Sequence, residues 1–298
     1  MLQTYDPRNQ ALLININGKL LPRAQAGISP FDSAVQGGDA VWEGLRLYEG
    51  KIFRLTQHLD RLRSSATALA FAEIPSHQSI RDEIRKTLEA NRMHDGVHIR
   101  LTLTRGLKIT SGMDPRLNQA GPTLIVLAEH KPPVYDKRGI TLATSSVRRF
   151  SPDCLDPKIH HCNLIQSILA KIEATRAGAD DAVMLDTRGF VAETNATHLF
   201  LVAPGMVLTP RTVACPEGIT RAAVLELCRR NAIAFEERDV SLMEFYRAAE
   251  VFCTGTMGEL AAVKAIDGRE MPKPVPGPMT TRLENLFKEL VRAEAEPV

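Results

Sequence analysis

The chain has 298 residues, 44% of them apolar and 24% charged, with a formal net charge of +2. That length suits two domains of ordinary globular composition, with enough apolar residues for a large core. Acids and bases are mixed along the sequence, so there is no basic stripe for nucleic acid or an acidic membrane surface.

In chain order, the opening MLQTYDPRNQ lacks the basic-then-apolar run of a signal peptide. No run of about 18 apolar residues follows, so no membrane span is expected. Five scattered cysteines, an odd number, read as the reduced thiols of a cytoplasmic protein. Residues 12–16 are a predicted strand entering an Asn17-Gly18 hairpin turn, and 46–48, Glu49-Gly50 and 52–53 repeat the signal. Thr56 is placed to cap a helix whose apolar stripe is Leu59, Leu62, Ala66 and Leu69. Residues 80–92 read as a second helix, and 97–104 and 122–128 as strands. Residues 1–130 are thus expected to form a small α/β domain.

His130-Lys131-Pro132-Pro133 marks a linker, placed at 131–138, because paired prolines block helix and ladder alike. Residues 139–298 are expected to form the larger domain. Its predicted strands are 140–144, 182–185, 190–192, 198–202, 207–208, 250–253 and 261–266. Helices are predicted at 163–176, ending at Gly178, and from Gly218 to Asn231. Four prolines in 271–278 precede a final helix. The fold class is α+β.

Lys158 follows Pro157 and precedes a long helix, a setting that can hold an amine at the edge of a cleft. Partial burial there would make it a nucleophile for a carbonyl; a solvated loop lysine is the plainer alternative. Glu193 lies between a hairpin and an apolar strand, poorly placed for the surface. Gly218-Ile219-Thr220 opens a helix whose free N–H groups can hold a phosphate. Gly255-Thr256 follows a strand and can form a second nest of N–H groups. Arg61 on the early helix can add charge, or simply make a helix-face salt bridge. Cys154, His160, His161 and Cys162 are near in sequence but match no zinc spacing, so no metal is expected. There is no G-x-S-x-G, no Walker A lysine and no G-x-G-x-x-G after a strand.

At these residues the chain resembles the fold-type IV pyridoxal 5′-phosphate (PLP) enzymes, which include branched-chain and D-amino acid aminotransferases and aminodeoxychorismate lyase. Trp42-Glu43-Gly44-Leu45-Arg46 is similar to the family's "GxxVFEGIR" segment, and His58-Leu-Asp-Arg61-Leu62 to its "EHxxRL" helix. Glu193-Thr-Asn-Ala-Thr-His198-Leu-Phe200, then Gly218-Ile219-Thr220-Arg221, are similar to its signature. The resemblance implies a two-domain homodimer whose larger domain has a β-barrel-like core. It implies PLP carried on Lys158, with Arg61, Ile219, Thr220, Gly255 and Thr256 at the phosphate and Glu193 at the pyridine nitrogen. The sequence departs from the family at His198, where asparagine is usual, and at Trp42, where Phe or Tyr is usual.

The resemblance implies a transaminase acting on an amino acid and a 2-oxo acid such as 2-oxoglutarate. A branched-chain L-amino acid is the expected donor, from the block around Trp42. D-amino acid transamination and a PLP lyase of the aminodeoxychorismate lyase type are the alternatives. The backbone of Thr256 and Met257, or an arginine (Arg100, Arg105 or Arg116), would take the substrate carboxylate, and Trp42 would form an apolar wall.

Overall fold

The computed structural model describes residues 3–298. They fall into two compact units. One comprises the chain up to Pro132, together with Ile159–Asn163 and Glu294–Val298. Its elements are β1 (Leu13–Ile16), β2 (Lys19–Pro22), α1 (Ser33–Gly37), β3 (Ala40–Tyr48), β4 (Lys51–Phe53), α2 (Leu55–Ala68), α3 (His77–Ala90), β5 (Val97–Thr104) and β6 (Thr123–His130). An antiparallel seven-stranded sheet runs in the order Ala295–Pro297, β4, β3, β5, β6, β1, β2.

Strand alternation fixes which face of that sheet is dry. Val97, Ile99, Leu101 and Leu103 of β5, with Val41, Leu45 and Leu47 of β3, pack on Leu55, Leu59, Leu62, Ile80 and Ile84 of α2 and α3. Each such aliphatic side chain contributes about 1.5–3 kcal/mol on burial. Glu43 occupies a core-facing position in the same alternation and is fully buried.

Thr56 does not cap α2. The helix starts one residue earlier, behind Arg54, whose side chain makes no cap. Thr56 instead lies in the first turn, donating its N–H to Glu296 Oε1 at 2.9 Å and its hydroxyl to Oε2 at 2.6 Å. A carboxylate from the far end of the chain thus meets the positive end of the helix.

The other unit comprises Pro133–Lys158 and Leu164–Ala293. It contains β7 (Ile140–Thr144), α4 (Ile165–Arg176), β8 (Asp181–Leu185), β9 (Val191–Thr194), β10 (His198–Ala203), β11 (Met206–Pro210), α5 (Ile219–Arg230), β12 (Phe235–Arg238), α6 (Leu242–Tyr246), β13 (Glu250–Gly255), β14 (Glu259–Ile266), β15 (Arg269–Glu270) and α7 (Pro278–Glu294). Its sheet runs β12-β11-β10-β13-β14-β7-β8-β9, with β15 beside β14. Strand β9, at one end of that path, packs back against β10 and β11, so the sheet curls as a β-barrel-like core does. The apolar interior includes Leu142, Val183, Leu199, Leu201, Val251 and Val263. Helix α4 stops where Gly178 takes a φ of +74°, a left-handed conformation that glycine adopts without strain.

Candidate active site

The predicted site residues divide between the two units. In the unit built on the curled sheet, β9 carries Glu193, and Thr194 and Thr197 close the tight turn into β10. The Thr194 N–H donates to the Thr197 carbonyl at 2.8 Å, and both threonines are buried. Glu193 is 4% exposed. Arg149 Nη2 approaches its Oε1 to 2.7 Å, but off the line of a hydrogen bond. The contact is therefore ionic, and Oε1 has no aligned donor among the described residues. Burial raises the Glu193 carboxyl to about 7, against the opposing charge of Arg149.

Two backbone turns share this unit. Gly218 is the N-cap of α5 and offers no side chain to its first turn. The Ala222 N–H returns to the Gly218 carbonyl at 2.9 Å, so the N–H groups of Ile219, Thr220 and Arg221 precede the helix ladder. Thr220 is buried. The second turn follows β13, where Gly255 pairs with Glu259 and Thr256 and Met257 lie between them. Thr254, just ahead of this turn, is fully buried, and its Oγ1 has no hydrogen-bond partner among the described residues. Lys158 lies in an exposed turn, its N–H donating to Asp156 Oδ1 at 3.0 Å. The partial burial that would activate Lys158 is absent, because its side chain projects from a turn rather than from a sheet.

In the unit built on the seven-stranded sheet, Glu43 organises a second cluster. Arg61 of α2 donates Nε and Nη2 to its two oxygens, each at 2.7 Å, and His58 Nδ1 lies 2.7 Å from Oε2. Burial alone would raise the Glu43 carboxyl, but the Arg61 charge and its hydrogen bonds hold it well below the usual range. His160 Nδ1 is 3.4 Å from the same carboxylate, and burial lowers the His160 pKa, so Arg61 is the cation that counts. Trp42, on the opposite face of β3, stacks on His160 at 4.3 Å between ring centroids. The Arg100 guanidinium lies 3.4 Å from the Trp42 ring centroid, and burial lowers the Arg100 pKa. Residues Ile159–Asn163 are stitched to this sheet: the Trp42 N–H donates to the His160 carbonyl at 3.0 Å, and the Cys162 N–H to the Ala40 carbonyl at 2.8 Å.

Trp42 and Arg100 are brought together, and Glu193 lies in the same unit as the two turns. Arg105 is occupied by Asp39 at 2.6 Å, and Arg116 is an exposed partner of Asp114. His160 and Cys162 serve packing and polar contacts. The one group of described residues whose ligand atoms converge is Glu193, His198 and Cys215, within 4.8 Å of one another.

Residues 40–266 match the family model described as amino-transferase class IV. The chain belongs to this family. Among its relatives, branched-chain-amino-acid aminotransferase-like protein 2 of Arabidopsis thaliana is 54% identical over 98% of the chain. The chain spans 52% of that relative's length, about half. A branched-chain amino acid aminotransferase from T.th., solved with N-(5′-phosphopyridoxyl)-L-glutamate, is 32% identical with a TM-score of 0.86, covering 95% of both chains. The Escherichia coli branched-chain enzyme superposes with a TM-score of 0.88 at 28% identity over 96% of both. These neighbours bear out the fold-type IV architecture expected from the motifs. No helix of the described residues is long and apolar enough to cross a membrane.

Two functional-looking groups carry little signal in the sequence. Arg149 lies in a loop with no motif around it. Glu43 stands in a family-like motif, yet its role shows only once β3 is known to start at Ala40. A charged residue in step with Val41 and Leu45 is the available signal.

Proposed function

We propose that this chain is a PLP-dependent aminotransferase that carries its cofactor on Lys158 and transfers an amino group between a branched-chain L-amino acid and a 2-oxo acid such as 2-oxoglutarate. One observation carries the cofactor reading: Glu193, buried beside Arg149, keeps an oxygen without an aligned donor. A buried acceptor of that kind is costly unless a donor is supplied, and a protonated pyridine nitrogen is such a donor. The two turns suit the rest of the group. The first-turn N–H groups at Ile219 and Thr220 and the turn at Gly255-Thr256 can take phosphate oxygens, with Arg61 held by Glu43 in a fixed orientation to add charge.

PLP, when bound, supplies an aldehyde for the lysine and a ring that withdraws electrons from the substrate Cα. The Lys158 amine, once the substrate amine has replaced it on the cofactor, would be free to take the Cα proton and give it back later in the transfer. Glu193 would hold the ring nitrogen in its protonated form by its negative charge. Arg100, cationic and mostly buried against Trp42, suits a substrate carboxylate, and the Trp42 face suits an aliphatic side chain. The Thr256 and Met257 N–H groups are the other carboxylate donors.

The chain is further proposed to act as a homodimer in the cytoplasm. Ile165, Ile168, Leu169 and Ile172 form an exposed stripe along α4, at a spacing that fits a second helix. All five cysteines are free, as suits a reducing compartment.

The test is a panel of L- and D-amino acids against 2-oxoglutarate and pyruvate. Turnover requiring a 2-oxo acceptor is expected, fastest with leucine, isoleucine or valine. Pyruvate released without an acceptor would identify a lyase instead. Lys158→Ala is expected to lose at least the factor of about 10²–10⁴ that a positioned proton-transfer group contributes, with the fold intact by circular dichroism. Wild-type turnover in that variant would overturn the assignment.

A further inference from the structure

His198 stands where three elements meet. It is the first residue of β10 and is buried. Its Nδ1 lies 3.7 Å from Glu193 Oε2 on β9. Its backbone pairs with Thr254, the residue before Gly255. Its other edge, Cδ2 and Nε2, fills the space that a methyl group at Gly218 would need. Gly218 has a φ of −71°, which any residue adopts, so its backbone conformation does not call for glycine. The His198 ring does.

We propose that His198 is a positioning residue that sets the separation between the Glu193 carboxylate and the N-terminus of α5. The inference rests on the cofactor reading above, since it assigns a purpose to that separation: Glu193 meets the ring of PLP and α5 meets its phosphate. A planar imidazole is a stiff spacer with two rotatable bonds. Asparagine, two heavy atoms shorter, would leave a gap against Gly218, and the surrounding structure closes such gaps only in part. Gly218 and His198 are therefore one unit: the large residue at 198 requires the small one at 218.

Residues 198 and 218 should therefore be coupled, as read in the PLP holoenzyme with four proteins: wild type, Gly218→Ala, His198→Asn and the double variant. Gly218→Ala alone is expected to weaken PLP binding about 10-fold or more, by absorbance titration. Adding His198→Asn makes room for the methyl group, and the double variant is expected to bind PLP within about 3-fold of His198→Asn alone. His198→Asn alone is expected to move the visible absorption maximum of bound PLP and to lower kcat with the donor KM unchanged. Loss of packing alone would not move that spectrum.

Equal losses from Gly218→Ala in both backgrounds would overturn the proposal, as would a His198→Asn spectrum identical to wild type. If Gly218→Ala is insoluble, a soluble double variant counts as the same rescue, and an insoluble one counts against it. A wild-type protein that takes up no PLP would overturn the cofactor reading and this inference together. Additive losses in a wild type that binds PLP would overturn this inference alone.

Discussion

Two carboxylates, Glu43 and Glu193, are both buried, and each faces an arginine. Their states are opposite. Glu43 receives two hydrogen bonds from Arg61 and lies against His58, and its carboxyl is held well below the ordinary range. Glu193 has one off-line contact with Arg149, and burial leaves it at about 7. Nearly the same desolvation acts on both, so the difference is one of partners. Glu43 is a completed ionic cluster that supports a helix and a strand. Glu193 is incomplete until something cationic arrives, which is how a binding group differs from a structural one.

The contrast can be broken at either end. The largest effect is expected at Glu43. Glu43→Ala leaves Arg61 and His58 without their shared carboxylate and should cost about 3–5 kcal/mol in urea denaturation, as removal of one member of a buried ion pair does. A loss below about 1 kcal/mol, the scale of a surface pair, would show that Glu43 is not the structural ion described.

Glu193 should respond to pH in the opposite sense to a salt-bridged acid. Its carboxyl rises from an ordinary 4.5 to about 7 in the folded, cofactor-free chain. Its contribution to stability is therefore fully present below pH 4.5 and is lost as pH rises through about 7. The loss is at most about 3.5 kcal/mol, since each tenfold change in proton affinity is worth about 1.4 kcal/mol. In cofactor-free protein, Glu193→Gln should melt higher than wild type at pH 8 and near it at pH 5. Parallel melting curves would show that Glu193 has a partner after all.

The smallest effect sets the baseline. Asp114 and Arg116 form an exposed pair in a loop, with side chains 40% and 88% accessible. Asp114→Asn should leave the melting temperature unchanged, since solvent already satisfies both groups. A clear fall there would mean that exposed pairs matter in this fold, and the Glu43 result would lose its meaning.

Much of this is legible in the sequence, and the reasons are local. Strand β5 alternates cleanly, and it runs Val97–Thr104 as its pattern predicts. Helix α5 runs Ile219–Arg230 with Gly218 and Asn231 as its caps, because glycine and asparagine punctuate a plain apolar stripe. Glu193 sits in a segment poorly suited to the surface, and it is buried. What local pattern cannot supply is partnership across the chain. Thr56 looks like a cap because it precedes an apolar stripe, but the group that caps α2 is Glu296, 240 residues away. His160 and Cys162 look like metal ligands because they are neighbours in sequence. Pairing with β3 turns them toward Trp42, Glu43 and Arg100 instead. Arg149 carries no signal in a single sequence, since its position beside Glu193 depends on the register of the whole curled sheet.

The strand Ala295–Pro297 closes one edge of the sheet built by the first 130 residues, and Glu296 also binds Arg81 of α3 at 2.5 Å. A ribosome makes that sheet's other strands first and then spends about 8–33 seconds on the rest, at about 5–20 residues per second. Throughout that time β4 is an open edge, and α2 waits for its acidic cap. The unit that holds β1 to β6 is thus closed only after the strands of the other unit have been made, and a chaperone or a neighbouring nascent chain meets it with one margin still unpaired.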